Sequence, residues 1–67
     1  MEFVSFGRMA ILPGKEEEFQ QACRGAGLKA VHLQDGVFDV GYEKPSLLDP
    51  LTLKQKAGTI GLKYSAL

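Results

Sequence analysis

The residues of this chain that could do chemistry begin with its one histidine and one cysteine. His32 lies in an alternating apolar run before Asp35-Gly36, and Asp39 lies in the run that follows. If Asp35 and Gly36 are the only loop residues of a hairpin, His32 and Asp39 face each other across it. A carboxylate beside an imidazole raises the imidazole pKa, as a general base requires. Because no nucleophile accompanies the two side chains, we interpret them as a polar cross-strand pair rather than a catalytic site.

Cys23 is the second candidate, and its neighbours favour a structural role. Phe19, Ala22, Cys23 and Ala26 recur at helical spacing, which places the thiol in the apolar stripe of a predicted helix. A thiol in apolar surroundings is protonated and inert. One cysteine cannot form an internal disulfide, and a lone thiol is typical of a reducing intracellular compartment. One histidine and one cysteine also provide no metal-ligand cluster.

The glycine-rich stretches are too irregular to predict a phosphate loop. Gly25-Ala26-Gly27 and Gly58-Thr59-Ile60-Gly61 lack the spacing of dinucleotide-binding loops, and neither opens a helix after a strand. We interpret both as turns or helix ends. The sequence therefore predicts no catalytic residue, no metal and no cofactor.

Size and charge narrow the function classes further. The 67 residues predict a single small domain over 1–67, and eight basic side chains balance eight acidic ones. Zero net charge disfavours nucleic-acid binding as a main role. The sequence has no apolar run of membrane-spanning length and no visible signal peptide. We expect a soluble protein in the cytoplasm, or in an assembly formed there.

The elements that must position these residues centre on a hairpin, Leu28–Glu43. Asp-Gly between two alternating apolar runs predicts a type I′ turn at Asp35-Gly36, which needs positive φ at both residues. That turn determines which residues face each other. The predicted pairs on the apolar face are Leu33 with Phe38, Val31 with Val40, and Lys29 with Tyr42.

Four further segments complete the expected order. Glu2–Leu12 is a mostly apolar strand with a bulge or change of face at Gly7, and Lys15–Ala26 is a helix with an acidic first turn. Pro50–Ala57 fits a short helix, which we prefer, but its residues also alternate like a strand. Thr59–Leu67 alternates as a last strand.

This order predicts a compact ferredoxin-like α+β domain, β-α-β-β-(α)-β. Its sheet would be antiparallel, with one or two helices on one face and the first and third strands in the centre. Strand aromatics such as Phe3 and Tyr42 could stack on bases in such a sheet, but the sequence lacks the aromatic-basic signature of RNA-recognition domains. Core or interface packing is the interpretation we prefer.

The opening of the chain resembles a known family. A strand followed by Leu12-Pro13-Gly14-Lys15-Glu16-Glu17-Glu18-Phe19 is similar to the start of the antibiotic biosynthesis monooxygenase-like dimeric α/β-barrel families. The resemblance covers about the first twenty residues, and the chain is shorter than those proteins and lacks a tryptophan after the third strand. It implies a ferredoxin-like architecture and self-association, and it carries over no catalytic residue.

Three function classes remain at this point. The first is a non-enzymatic interaction or assembly module, forming a homo-oligomer or binding a protein partner; a virus-encoded structural or host-binding protein would be one form of it. The second is a dimeric α/β-barrel protein that binds a small molecule or acts as a monooxygenase-like enzyme. The third is a nucleic-acid-binding or regulatory module that uses the lysines of the last third. For the first class, the hypothesised interface consists of Phe3, Phe6, Val31, Leu33, Phe38, Val40, Ile60 and Leu62.

Overall fold

The computed structural model describes residues 1–66 as a two-layer α+β domain. The elements in chain order are β1 (Glu2–Ala10), α1 (Glu16–Gly25), β2 (Lys29–Gln34), β3 (Val37–Lys44) and α2 (Pro50–Tyr64). The three strands form one antiparallel sheet in the order β1-β3-β2. The predicted α+β class, antiparallel sheet and helices are confirmed.

The core lies between one face of the sheet and both helices. Phe38 and Val40 of β3 are completely buried, as are Phe19 of α1 and Leu53 of α2. The Phe19 ring connects the layers, because its centroid lies 5.3 Å from that of Phe38 and 6.2 Å from that of Tyr64 in α2. Burying a large side chain contributes about 1.5–3 kcal/mol, so these few residues carry much of the folding free energy.

Helix α1 forms where the sequence predicts it. Three glutamates occupy its first turn, where negative charge complements the helix dipole, and Arg24 lies in its last turn. Phe19 and Cys23 are buried, one turn apart on the helix face that meets the sheet. The chain leaves the helix through Gly27, whose φ of +82° suits glycine.

Helix α2 overturns the predicted last strand. It begins as predicted, with Asp49 accepting hydrogen bonds from the backbone N–H groups of Leu51 and Thr52, but it continues to Tyr64. Thr59–Leu67 is therefore not a strand. Among the described residues of that segment, only Ser65 forms an isolated antiparallel bridge, with Ile11; Leu67 lies outside the described residues.

Helical spacing of small and large apolar residues explains why the helix continues. Leu53, Ala57, Gly61 and Tyr64 are all buried and recur on one face of the helix. Gly61 sits where α2 crosses β1, since a Cβ there would lie 3.0 Å from the Met9 sulfur. Tertiary packing thus outweighs the low helix propensity of glycine.

The hairpin keeps its Asp35-Gly36 turn but not its predicted register. Gly36 has a φ of +70°, whereas no non-glycine residue of the described chain has a positive φ, so the type I′ turn does not form. Gln34 still pairs with Val37, but the register then shifts and His32 pairs with Phe38. A turn with one left-handed glycine is commonly accompanied by such a bulge. Because side chains alternate between faces, the shift moves the rest of β2 to the opposite face.

Strand β1 was predicted to be central and is instead an edge strand, because no fourth strand lies beside it in the described chain. Its predicted irregularity is confirmed: the pairing with β3 shifts between Ser5 and Gly7. At this bulge, the β1 backbone approaches Gly41 of β3 closely. A Cβ on Gly41 would lie 2.0 Å from the Val4 carbonyl oxygen and 2.9 Å from the Ser5 Cα.

The contact at Gly41 predicts a large loss of stability on adding a methyl group. Gly41→Ala should lower the free energy of unfolding by about 3 kcal/mol or more, because backbone atoms cannot move aside as a side chain can. Gly58→Ala is the matched control, since a Cβ at that helical position meets open space. It should stabilise the protein by about 0.5–1 kcal/mol. Urea denaturation followed by circular dichroism measures both, and equal stabilities for the two variants would contradict the close approach.

Candidate protein-interaction site

The sheet face opposite the helices is the main candidate site. Both helices pack on the other face, where the core lies, and the 45–48 loop lies beside this outer face at its Lys29–Glu43 end. Strand alternation and the observed registers place on it the following residues: Phe3, Ser5, Arg8 and Ala10 of β1, Lys29, Val31 and Gln34 of β2, and Val37, Asp39, Gly41 and Glu43 of β3. We call this set the outer face.

Polar side chains occupy the middle and one end of the outer face. Ser5 Oγ donates a hydrogen bond to the Asp39 carboxylate, and Arg8 lies opposite Asp39 in the register of β1 and β3. Lys29 Nζ lies 3.2 Å from Glu43 Oε1, which joins β2 to β3. Both contacts are accessible to solvent, so they orient side chains more than they stabilise the fold.

Apolar side chains flank this polar group. Phe3, Val31 and Val37 are each partly buried, but they do not pack against the core. A fully solvated sheet face would be mostly polar. A non-obligate protein interface has about the same apolar fraction as the rest of a protein surface, so a mixed face is compatible with one. The composition of the outer face therefore suits contact with another protein surface.

The predicted pairing of His32 with Asp39 is wrong. The bulge beyond His32 brings Val31, not His32, opposite Asp39. The His32 ring lies against Phe38 instead, with 5.2 Å between the ring centroids, while the Asp39 carboxylate accepts from Ser5. The two candidate groups for acid–base chemistry are thus on opposite faces of the sheet.

The hypothesised interface residues do not form one surface. Phe38 and Val40 have no exposed surface at all, and Phe6 packs on the helix side with its ring centroid 5.5 Å from that of Tyr42. Phe3 and Val31 belong to the outer face, and Leu33 is exposed at the bulge of β2. Two further members lie on α2 rather than on a strand.

These two α2 residues lie in different surroundings. Ile60 lines an open groove of about 550 Å³ between the two helices, and Leu62 is 85% exposed beside β1. The expected apolar sheet face therefore divides into a buried part, which is the core, and an outer part. The preferred core interpretation of Tyr42 is confirmed, since it is 5% exposed.

Sequence reasoning missed Ser5, Arg8 and Val37 as members of the outer face. The irregularity at Gly7 was the available signal, because a bulge there changes which side chains of β1 share a face. For Val37, the signal was strand alternation, which places it with Asp39 on the face opposite to that of Phe38 and Val40.

Cys23 is buried in the core, as its helical stripe predicts. Removal of the thiol from water disfavours the charged thiolate and raises the pKa of Cys23 from 9.0 to about 11. The side chain therefore stays protonated at neutral pH and acts as a small apolar residue.

The comparisons with known proteins add no relative. Neither the protein-family models, nor the curated proteins, nor the solved structures contain a match to this chain. Within residues 1–66, no group of three or more His, Cys, Asp or Glu side chains could hold a metal ion. In the same range, neither helix has the length and apolar character needed to cross a membrane.

The burial of Cys23 predicts how the thiol reacts. In the folded protein at pH 8, an aromatic disulfide reagent should label Cys23 only as fast as the protein opens, because the thiol is both inaccessible and protonated. In denaturant, labelling should finish within seconds. The free energy of unfolding should also fall from about pH 9 to about pH 11, since the unfolded chain loses the thiol proton first. Rapid labelling of the folded protein would contradict the core position.

Proposed function

We propose that this protein is a non-enzymatic interaction and assembly module that buries the outer face of its sheet against a protein surface. The observation that carries the proposal is the uncovered outer face with its partly buried Phe3, Val31 and Val37. A second copy of the chain is the partner we favour. The similarity of the opening residues to the monooxygenase-like families agrees with this choice through architecture and self-association alone.

The small size of the domain supports a role in which part of the stability comes from association. A chain of 67 residues buries a smaller fraction of its surface than a larger domain does. Here one side of the sheet keeps its apolar residues partly in contact with water. Covering them against a partner removes that apolar area from water, at about 25 cal/mol per Å² before the costs of association.

The charges of the outer face also suit contact with a second copy. The face carries both charge signs, with Arg8 and Lys29 on the two edge strands and Asp39 and Glu43 on the central one. When two such faces stack across a two-fold axis, opposite charges can come close without an excess of either sign. Apolar contacts would provide affinity, and the charges would set the orientation.

The test is the solution mass of the protein as a function of concentration, at low and high salt. We expect the wild-type mass to exceed that of the 7.3 kDa monomer as concentration rises, and the association to survive high salt because it is mainly apolar. Val31→Lys should raise the dissociation constant about ten-fold or more, since it places a charge in the apolar contact. Sedimentation velocity measures both.

Leu51→Lys is the control, because Leu51 is 63% exposed on α2, on the helix side of the sheet. It also replaces an aliphatic side chain by lysine, but outside the outer face, so its mass distribution should match that of the wild type. Circular dichroism confirms that both variants fold. Equal association of Val31→Lys and wild type would rule out the outer face as the contact.

A further inference from the structure

Strand β1 is an edge strand with few of the features that protect sheet edges. Natural edge strands usually carry charges, prolines or bulges that discourage pairing with a further strand. From Phe3 to Ala10, β1 has one charged residue, Arg8, and one bulge, between Ser5 and Gly7. Most of the residues that were predicted to form a last strand belong to α2 instead. The position beside β1 is therefore largely open in the described chain.

Half of the backbone groups of β1 point away from β3. The Ala10 carbonyl is one of them, since it accepts a hydrogen bond from the Ala66 N–H at 2.9 Å. Phe3, Ser5 and Arg8 have the same direction, because these residues and Ala10 lie opposite every second residue of β3. Within residues 1–66, no strand pairs with these three on that side. Their N–H and carbonyl groups are available to an added strand.

The end of the described chain occupies the first part of this open position. Ser65 forms an antiparallel bridge with Ile11, and Ala66 follows it along β1. This edge therefore accepts an antiparallel neighbour. A longer strand in the same position would run from the end of β1 towards its start, past Arg8 and Ser5.

An apolar groove lies on the helix side of the same edge. It measures about 330 Å³ and is lined in part by Met9 of β1 and by Gly58 and Leu62 of α2. Leu62 is 85% exposed, and Gly58 leaves open space beside it. A residue of an added strand opposite Gly7 would point its side chain to the helix side, towards this groove. An apolar side chain there would cover Leu62.

We propose that β1 binds an extended segment of another protein, which pairs antiparallel with it and forms a fourth strand of the sheet. Backbone hydrogen bonds to β1 provide the affinity, and the side chains of the segment provide the specificity. The side chains opposite Gly7 and Val4 point to the helix side and are apolar. The side chain opposite Arg8 is acidic, because Arg8 forms no ion pair in the described chain and opposite charges on paired strands attract.

A second copy of β1 does not have this pattern. Its only acidic residue, Glu2, lies opposite Lys44 on the helix side, whereas Arg8 lies on the outer face. Antiparallel pairing of two copies would therefore place the two charges on opposite sides of the sheet. The edge is suited to a segment of different sequence, with one acidic residue followed by alternating apolar residues.

The edge binds through backbone groups and the groove, so it is a separate surface from the outer face. One protein could pair with its own copy through the face and bind a foreign segment at the edge. Val31→Lys, which is designed to weaken the face contact, should therefore bind an added strand as the wild type does.

The probe for this site is the peptide acetyl-Glu-Leu-Thr-Val-Thr-Val-amide. It places its glutamate opposite Arg8, its leucine beside the groove and its first threonine opposite Ser5. Titration into ¹⁵N-labelled protein should shift the backbone amide signals of β1 saturably, with a dissociation constant below about 1 mM. A nitroxide on the N-terminal end of the peptide should broaden the Arg8 amide signal more than that of Phe3, because the strands run antiparallel.

N-methylation of the probe tests the backbone hydrogen bonds. Methyl groups on the nitrogens of both threonines remove N–H groups that face β1, so they should weaken binding about ten-fold or more. The matched control carries methyl groups on the nitrogens of the leucine and the first valine. These N–H groups point away from β1, so the control should bind like the unmodified peptide.

Two exposed leucines of α2 test the groove. Leu62→Lys places a charge beside the apolar side chain of the probe and should weaken binding about five-fold or more. Leu51→Lys makes the same change on the same helix, at a residue outside the groove lining, and should bind as the wild type does. Circular dichroism confirms that both variants fold.

Each outcome supports or overturns the strand addition. Unchanged β1 amide signals at about 1 mM probe, or equal binding of the two N-methylated peptides, would overturn it. Equal binding by Leu62→Lys and Leu51→Lys would overturn the placement over the groove. Loss of binding in Val31→Lys would show that the probe contacts the outer face instead. The mass of the wild type without peptide is measured separately, so failure at the edge leaves the proposed face contact standing.

Discussion

The packing of β3 against both helices is the contact on which the rest of this structure depends. β3 is the only strand of the described sheet with a neighbour on each side, and its inward side chains Phe38, Val40 and Tyr42 meet α1 and α2. Phe19 touches both Phe38 and Tyr64, so a single ring links the sheet to each helix. A core this small has few substitutes for any one of these contacts.

Two bulges decide what the protein presents to its surroundings. The shift in β2 beyond His32 brings Ala30 onto the core and moves Val31 to the outer face. The shift in β1 between Ser5 and Gly7 moves Arg8 opposite Asp39. Both are displacements by a single residue, yet each changes the chemistry of a whole strand face because side chains alternate with a period of two. The composition of the outer face depends on both shifts.

The fold buries Cys23 and separates His32 from Asp39. The thiol of Cys23 is in the core with a raised pKa, and the His32 ring rests on Phe38. The surface feature that the fold presents is the outer face, which carries both apolar and charged side chains. Such features suit recognition of protein surfaces, where complementary charges choose the partner and buried apolar groups provide affinity.

Local sequence patterns by themselves determined the α+β class, helix α1, the start of α2 at Asp49-Pro50 and the turn at Asp35-Gly36. Each depends on interactions within a few residues, such as helix capping, charge near a helix end and the freedom of glycine. Only the tertiary structure decided that α2 continues through Gly58 and Gly61, because packing of Gly61 against Met9 outweighs propensity. It also decided the register of the hairpin. A shift of one residue changes the local backbone hydrogen bonding little, so the register depends on which side chains pack into the core. The composition of the outer face follows from that register and from the bulge of β1, which is why the sequence named its residues incompletely.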